Sequence, residues 1–125
     1  MHEFKVYLSD KPGELARVTE ALAARAVNIM AIASESGSDR PFLRVVTNDA
    51  STAQKALKTA GFDFEQNGII SVELLDRPGE LAKIAKRLAR AQVNVESLYI
   101  IGKKDGKTVL AVAVDDEKKA KKVLK

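Results

Sequence analysis

One seven-residue phrase occurs twice in this chain, and that repetition limits its architecture more than any other feature. Asp-Lys-Pro-Gly-Glu-Leu-Ala at residues 10 to 16 returns as Asp-Arg-Pro-Gly-Glu-Leu-Ala at residues 76 to 82. The first copy follows the alternating apolar run Phe4, Val6, Leu8, and the second follows Ile70, Val72, Leu74. An amphipathic helical pattern comes after each, so the phrase reads as a strand-to-helix turn used twice. Proline suits the first helical position, where its missing N–H is not needed. Glycine beside it leaves the first-turn amides uncovered, and open donors at a helix start attract carboxylates.

The repeat runs well beyond the turn. A shift of 66 residues carries Leu15 to Leu81, Val18 to Ile84, Leu22 to Leu88, and Val27-Asn28-Ile29 to Val93-Asn94-Val95. Past the following hairpin the shift becomes 67, taking Asn48-Asp49 to Asp115-Asp116 and Ala56-Leu57 to Val123-Leu124. One residue has been added at the hairpin, where insertions are tolerated best.

In the first unit, period-two patterning predicts a strand over 3 to 9. A helix is predicted over 12 to 26 with Leu15, Val18, Leu22 and Ala26 on its core face. Strands at 28 to 36 and 41 to 48 are joined by the Ser-Gly-Ser-Asp-Arg loop. Asp49 caps a second helix over 50 to 60, with Ala53, Ala56, Leu57 and Ala60 facing inward, and a strand at 62 to 67 closes the unit. The second unit repeats this as strand 69 to 75, helix 78 to 92, strands 94 to 103 and 107 to 114, and helix 116 to 124. The fold class is therefore α+β: two ferredoxin-like βαββαβ units in tandem, at 1 to 67 and 68 to 125, each with helices on one face of an antiparallel sheet. The second unit lacks its last strand. Because Asn-Gly between two strands is a strong hairpin signal, Asn67-Gly68 suggests that strand 62 to 67 is shared or exchanged between the units to fill that slot.

Composition sets the remaining bounds. With no cysteine there is no disulfide framework and no thiolate nucleophile or ligand. His2 is the only histidine, so neither a metal site nor a histidine base for Ser34, Ser36, Ser38 or Ser97 is expected. No apolar run reaches membrane-spanning length and no leader precedes the first strand, which makes a cytoplasmic location the expectation. The excess of Lys and Arg gives a formal charge of +4, much of it in Lys118, Lys119, Lys121, Lys122 and Lys125. That run reads as the solvated face of the last helix. Phe and Tyr are few and tryptophan is absent, which disfavours nucleic-acid binding by base stacking.

Taken together, the duplicated Pro-Gly-Glu-Leu-Ala turns, the recurring Val-Asn-Ile and Val-Asn-Val segments, and the βαββαβ order resemble tandem ACT domains over nearly the whole chain. The resemblance implies a regulatory module that binds a small ligand, most often an amino acid, at the interface between two domains and acts through their packing. It implies one site at Asp10, Gly13, Glu14, Leu15, Asn28 and Ile29, and a second at Asp76, Gly79, Glu80, Leu81, Asn94 and Val95. It also implies a homodimer, no cofactor, and an unidentified regulated protein as the downstream partner.

The residue chemistry suits such a ligand. A zwitterion needs donors for its carboxylate and acceptors for its ammonium group if both are to leave water. Helix-start amides near Gly13 or Gly79 supply the first, and Asp10 or Asp76 with Asn28 or Asn94 supply the second. Neither turn phrase carries a dedicated cation for an acidic side chain, which favours neutral or branched-chain amino acids. The plainer explanations are that Asp10 and Asp76 cap their helices and that the asparagines suit a helix-to-strand handover. The competing functions are a structural dimerisation module without ligand and an RNA-binding ferredoxin-like protein. No nucleophile–base pair in the sequence points to an enzyme.

Overall fold

A computed structural model describes residues 1–35 and 39–124; Ser36 and Ser38, with the middle of the first hairpin loop, lie outside the described residues. The chain divides into two compact units, Met1–Asn67 and Gly68–Lys125.

The first unit runs β1 (His2–Tyr7), α1 (Glu14–Ala23), β2 (Ile29–Glu35), β3 (Phe42–Thr47), α2 (Ala50–Thr59) and β4 (Phe64–Gly68). Its sheet has the order β2-β3-β1-β4, with β1 and β2 both antiparallel to β3. Alternation along the strands puts Phe4, Val6, Leu43 and Val45 on one face, where they meet Val18 and Leu22 of α1 and Ala53, Ala56 and Leu57 of α2. Asp49 caps α2, its carboxylate accepting the Thr52 N–H at 3.1 Å.

The second unit runs β5 (Ile70–Leu75), α3 (Glu80–Arg90), β6 (Val95–Lys104), β7 (Lys107–Val114) and α4 (Glu117–Val123). Its three strands take the order β5-β7-β6, the arrangement of the first sheet without its fourth strand. Ile70 and Val72 face Ile84 and Leu88 of α3 and Ala120 of α4, and Asp116 caps α4 through the Lys119 N–H at 3.0 Å. Both units thus carry antiparallel sheets in ferredoxin-like order with helices on one face.

Four expectations change. Asn67-Gly68 makes no hairpin turn: both residues belong to β4, Gly68 is not among the positive-φ glycines, and β4 neighbours β1. In that place Phe62 and Phe64 pack on the first core, with the Phe64 ring 5.8 Å from Phe4 edge-on, contacts that a move to β5 would forfeit. The helix start is also displaced. Pro12 and Gly13 precede α1, and Gly13 at φ 92° and ψ −8° is its N-cap; Gly79 has the same geometry at φ 86° and ψ −11°. Proline followed by a left-handed glycine is the pattern of a type II turn, not of a first helical turn. Ala26 lies beyond the helix, exposed and left-handed at φ 56°, while Val27 is buried instead. Leu15 and Ala60, expected in the core, are exposed as well.

Candidate functional site

Neither aspartate of the repeated phrase caps its helix. The N-cap glycines receive no side-chain hydrogen bond, Asp10 is exposed, and Asp76 instead faces Lys103 Nζ at 3.4 Å. A carboxylate with no backbone duty is available as an acceptor.

Each turn opens on a cavity at the same place in its unit. The first, of about 340 Å³, is lined by Asp10, Glu14 and Leu15 of the turn, with Leu8, Glu35 and Phe42 from the strand ends beside it. The second, of about 140 Å³, is lined by Asp76, Glu80 and Leu81, with Leu74, Ile100 and Leu110. Leu15 and Leu81, 55% and 43% exposed, put apolar surface at the mouths of these cavities. Gly13 and Gly79 do not line the cavities; each lies beside open space, a Cβ built on it meeting nothing within 4 Å.

The glutamates of the two turns behave differently. Glu14 is buried; it accepts the Ser9 N–H at 3.1 Å and pairs with Arg17 at 2.9 Å. The Arg17 hydrogen bond, then that of Ser9, holds its carboxyl below the ordinary value despite burial. Glu80 faces Arg77 at 2.7 Å and Lys83 at 3.2 Å, and those two hydrogen bonds lower its pKa in the same order. The first turn is therefore partly closed by its own carboxylate, whereas the second has its carboxylate drawn to surface cations.

The asparagines stand elsewhere. Glu35, at one end of β2, lines the first cavity, and Asn28 precedes the opposite end. Glu35 lies seven residues on from Asn28, about 23 Å at the usual rise. Asn94 is likewise six residues from Ile100 along β6, about 20 Å. Both asparagine side chains are exposed, with Ile29 and Val95 opening the adjoining strands. One unit therefore brings Asp10, Glu14 and Leu15 together, or Asp76, Glu80 and Leu81, but not the asparagine of the same unit. Sequence reasoning missed Phe42, Glu35, Ile100 and Lys103, residues of β3, β2 and β6 that only the sheet order brings beside the turns. Among the described residues no cluster of His, Cys, Asp and Glu could hold a metal ion.

A family model described as ACT domain matches residues 2–60 and again residues 68–125. The chain belongs to the ACT domain family. This tandem ACT protein resembles a solved protein from Bacteroides thetaiotaomicron at 27% identity and a TM-score of 0.87, covering 98% of this chain and 85% of that one. It shares its fold with the regulatory subunit of aspartate kinase from Thermus thermophilus, at 20% identity, TM-score 0.69, and 98% and 87% coverage. The corresponding subunit from Thermus flavus gives 22% identity, TM-score 0.66, and 98% and 89% coverage. No curated protein matches the sequence. Among the described residues, no helix of the ACT protein is long and apolar enough to cross a membrane.

Proposed function

We propose that this tandem ACT protein is a non-enzymatic regulator that binds a small, neutral amino acid where ACT units of two chain copies meet. The observation that carries the reading is the pair of equivalent cavities, each presenting a turn aspartate free of capping duty beside an exposed leucine. The aspartate accepts from the ligand ammonium group, and the leucines with Phe42 or Ile100 cover an aliphatic side chain; the first-turn amides of Glu14 and Leu15 receive its carboxylate in the first unit and that of Leu81 in the second, where the Glu80 N–H is given to the Arg77 carbonyl at 3.4 Å. Asn28 and Asn94 stand too far along their strands to reach a ligand held by their own unit. They serve a site on a second copy, and a homodimer follows. The edge strands β2 and β6 carry exposed Ile32, Leu98 and Ile100, apolar surface suited to such packing.

Ligand that touches both copies favours their closed packing by its difference in affinity for the two arrangements, and that shift is the signal passed to a regulated protein. Thermal unfolding against each common amino acid tests this. The correct ligand at a hundredfold excess over its Kd should stabilise by about 2.7 kcal/mol. Asn28→Ala with Asn94→Ala should remove the shift while leaving the unliganded transition in place. The competing reading, a dimerisation module without ligand, is favoured by Glu14 already occupying the Ser9 amide. Stability indifferent to every amino acid would establish it.

A further inference from the structure

The two units differ sharply in charge. Residues 1–67 carry 8 Lys and Arg against 9 Asp and Glu, a formal −1, whereas residues 68–125 carry 13 against 8, a formal +5. In the second unit the excess is gathered on the helices. Lys83, Lys86, Arg87 and Arg90 stand at i, i+3, i+4 and i+7 of α3, a single stripe, and they alone line a shallow groove of about 340 Å³. All four are exposed. Lys83 shares Glu80 with Arg77; among the described residues, Lys86, Arg87 and Arg90 have no acidic partner. On α4, which packs on the same sheet face, Lys118, Lys119, Lys121 and Lys122 are exposed as well, and among the described residues only Lys121 reaches an acid, Glu117 at 3.7 Å.

The fold does not require this. The repeat places Arg17, Glu20, Ala21 and Ala24 at the α3 positions in the first unit, and Ser51, Thr52, Gln54 and Lys55 at the α4 positions. Like charges three and four residues apart cost a helix a few tenths of a kcal/mol per pair. The first unit avoids that cost in the same architecture.

We infer that the α3–α4 face of the second unit docks on the phosphate backbone of a nucleic-acid duplex, without reading its sequence. Cations dominate this face, with Glu80 and Glu117 each paired to one of its lysines. Beside the α3 stripe stand Ala82, Ala85 and Ala89, exposed and small. A stable protein interface needs an apolar or aromatic centre depleted in lysine, and a membrane-surface helix needs large apolar side chains to bury; both are missing from this stripe. Single strands require stacking aromatics, and neither helix has one. Phosphate neutralisation needs none of these, and it is the term that drives sequence-independent duplex binding. The arginine forks at 87 and 90 match phosphate oxygens in pairs. The stripe is about 10 Å long at the helical rise, a span that follows a few phosphates of one strand.

Fluorescence anisotropy with the full chain and a labelled DNA duplex of arbitrary sequence, from 50 to 200 mM salt, is the test. If four phosphates are engaged by α3, they contribute about −3.6 to the slope of log K on log salt, so affinity should fall roughly a hundredfold over that range. Changing Lys83, Lys86, Arg87 and Arg90 together to Gln should make the slope shallower by about that amount. A second variant, Lys118→Gln, Lys119→Gln, Lys121→Gln and Lys122→Gln, should flatten it independently, so the test survives if one variant fails to fold. Lys55→Gln with Lys58→Gln, on the matching helix of the first unit, should change nothing. Absence of binding at 50 mM salt, or a slope that neither set alters, overturns the inference. Tighter binding to phosphatidylserine vesicles than to the duplex at equal phosphate also overturns it and assigns the face to anionic lipid.

Discussion

The Asn94 backbone N–H donates to Asp115 Oδ1 at 2.9 Å, and the Asp115 N–H returns a bond to the Asn94 carbonyl at 3.1 Å. The first unit repeats the brace, Asn28 N–H donating to Asn48 Oδ1 at 3.0 Å and Asn48 N–H to the Asn28 carbonyl at 3.3 Å. In each unit the backbone of the asparagine is held by the residue two places before the second helix, and its side chain is left outward. Asp115→Ala removes one bond of a pair and should destabilise by about 1 kcal/mol in urea unfolding, with an equal m-value. On the proposed function it should also weaken amino-acid binding, because the Asn94 side chain loses its fixed base.

Asp10→Ala and Asp76→Ala separate capping from binding. An N-cap aspartate replaced by alanine costs about 1 kcal/mol. Neither residue caps here, so both variants should unfold within about 0.5 kcal/mol of the parent, as surface substitutions do. Ligand-induced stabilisation should nevertheless disappear for the affected site. A clear loss of stability in the absence of ligand would return both aspartates to a structural role.

How far the chain could be read beforehand depended on the kind of interaction. Strand and helix order follows from backbone periodicity, and the apolar faces it defines at Phe4/Val6 and Val18/Leu22 meet in one core. Pro12-Gly13 is ambiguous in sequence because the same dipeptide serves both a helix start and a type II turn, and only the φ of Gly13 separates them. Asn67-Gly68 failed for a non-local reason: burying Phe62 and Phe64 against the first core outweighs a local turn preference. Asn28 illustrates a third kind of difficulty. Its recurrence as Asn94 flagged it, but its separation from Asp10 is a property of the sheet, where a strand's two ends serve different neighbours. The burial of Glu14 and the partial burial of Glu80 leave no trace in two identical Gly-Glu-Leu-Ala segments; the difference lies in Ser9 against Leu75 and in the surrounding cations.

Glu14 gives the first unit a pH dependence. Its carboxyl is held below its ordinary value of 4.5, chiefly by Arg17 and next by the Ser9 amide. A depressed folded-state pKa contributes stability that is complete above the unfolded value and is lost as pH falls through the folded one. Glu14→Gln should therefore lower the Tm at pH 7, by a deficit that shrinks as acidification carries the pH down through the folded-state value and protonates the parent's carboxylate. A deficit that stays constant as the pH falls would mean Glu14 acts by packing alone.

Glu3 is fully buried in β1 and pairs with Arg44 of β3, Oε1 to Nη1, at 2.6 Å. Removing the cation takes the Arg44 charge away from a carboxylate inside the sheet, an imbalance that typically costs 3–5 kcal/mol. Arg44→Ala should fall near the lower end, about 3 kcal/mol, because the arginine side chain is itself 24% exposed and water can enter. The double variant Glu3→Leu with Arg44→Leu should recover much of that loss by replacing both charges with apolar surface of similar volume. Recovery short of the Arg44→Ala value would show that the pair contributes more than charge balance.

Thr47 supplies the opposite case. Its hydroxyl is buried at the end of β3 and, among the described residues, it is the one buried side-chain polar atom without a hydrogen-bond partner. An unpaired buried hydroxyl costs about 1–3 kcal/mol, and valine keeps the β-branch and shape while replacing the oxygen with a methyl group. Thr47→Val should thus raise stability by about 1 kcal/mol. For a unit of this size that corresponds to an increase in Tm of about 4–8 °C by calorimetry. Because His2, Met30 and Asn48 share a cavity with Thr47, a ligand or water reached by its hydroxyl would turn the gain into a loss. A lower Tm in Thr47→Val would therefore reveal a polar partner for that oxygen in the native protein.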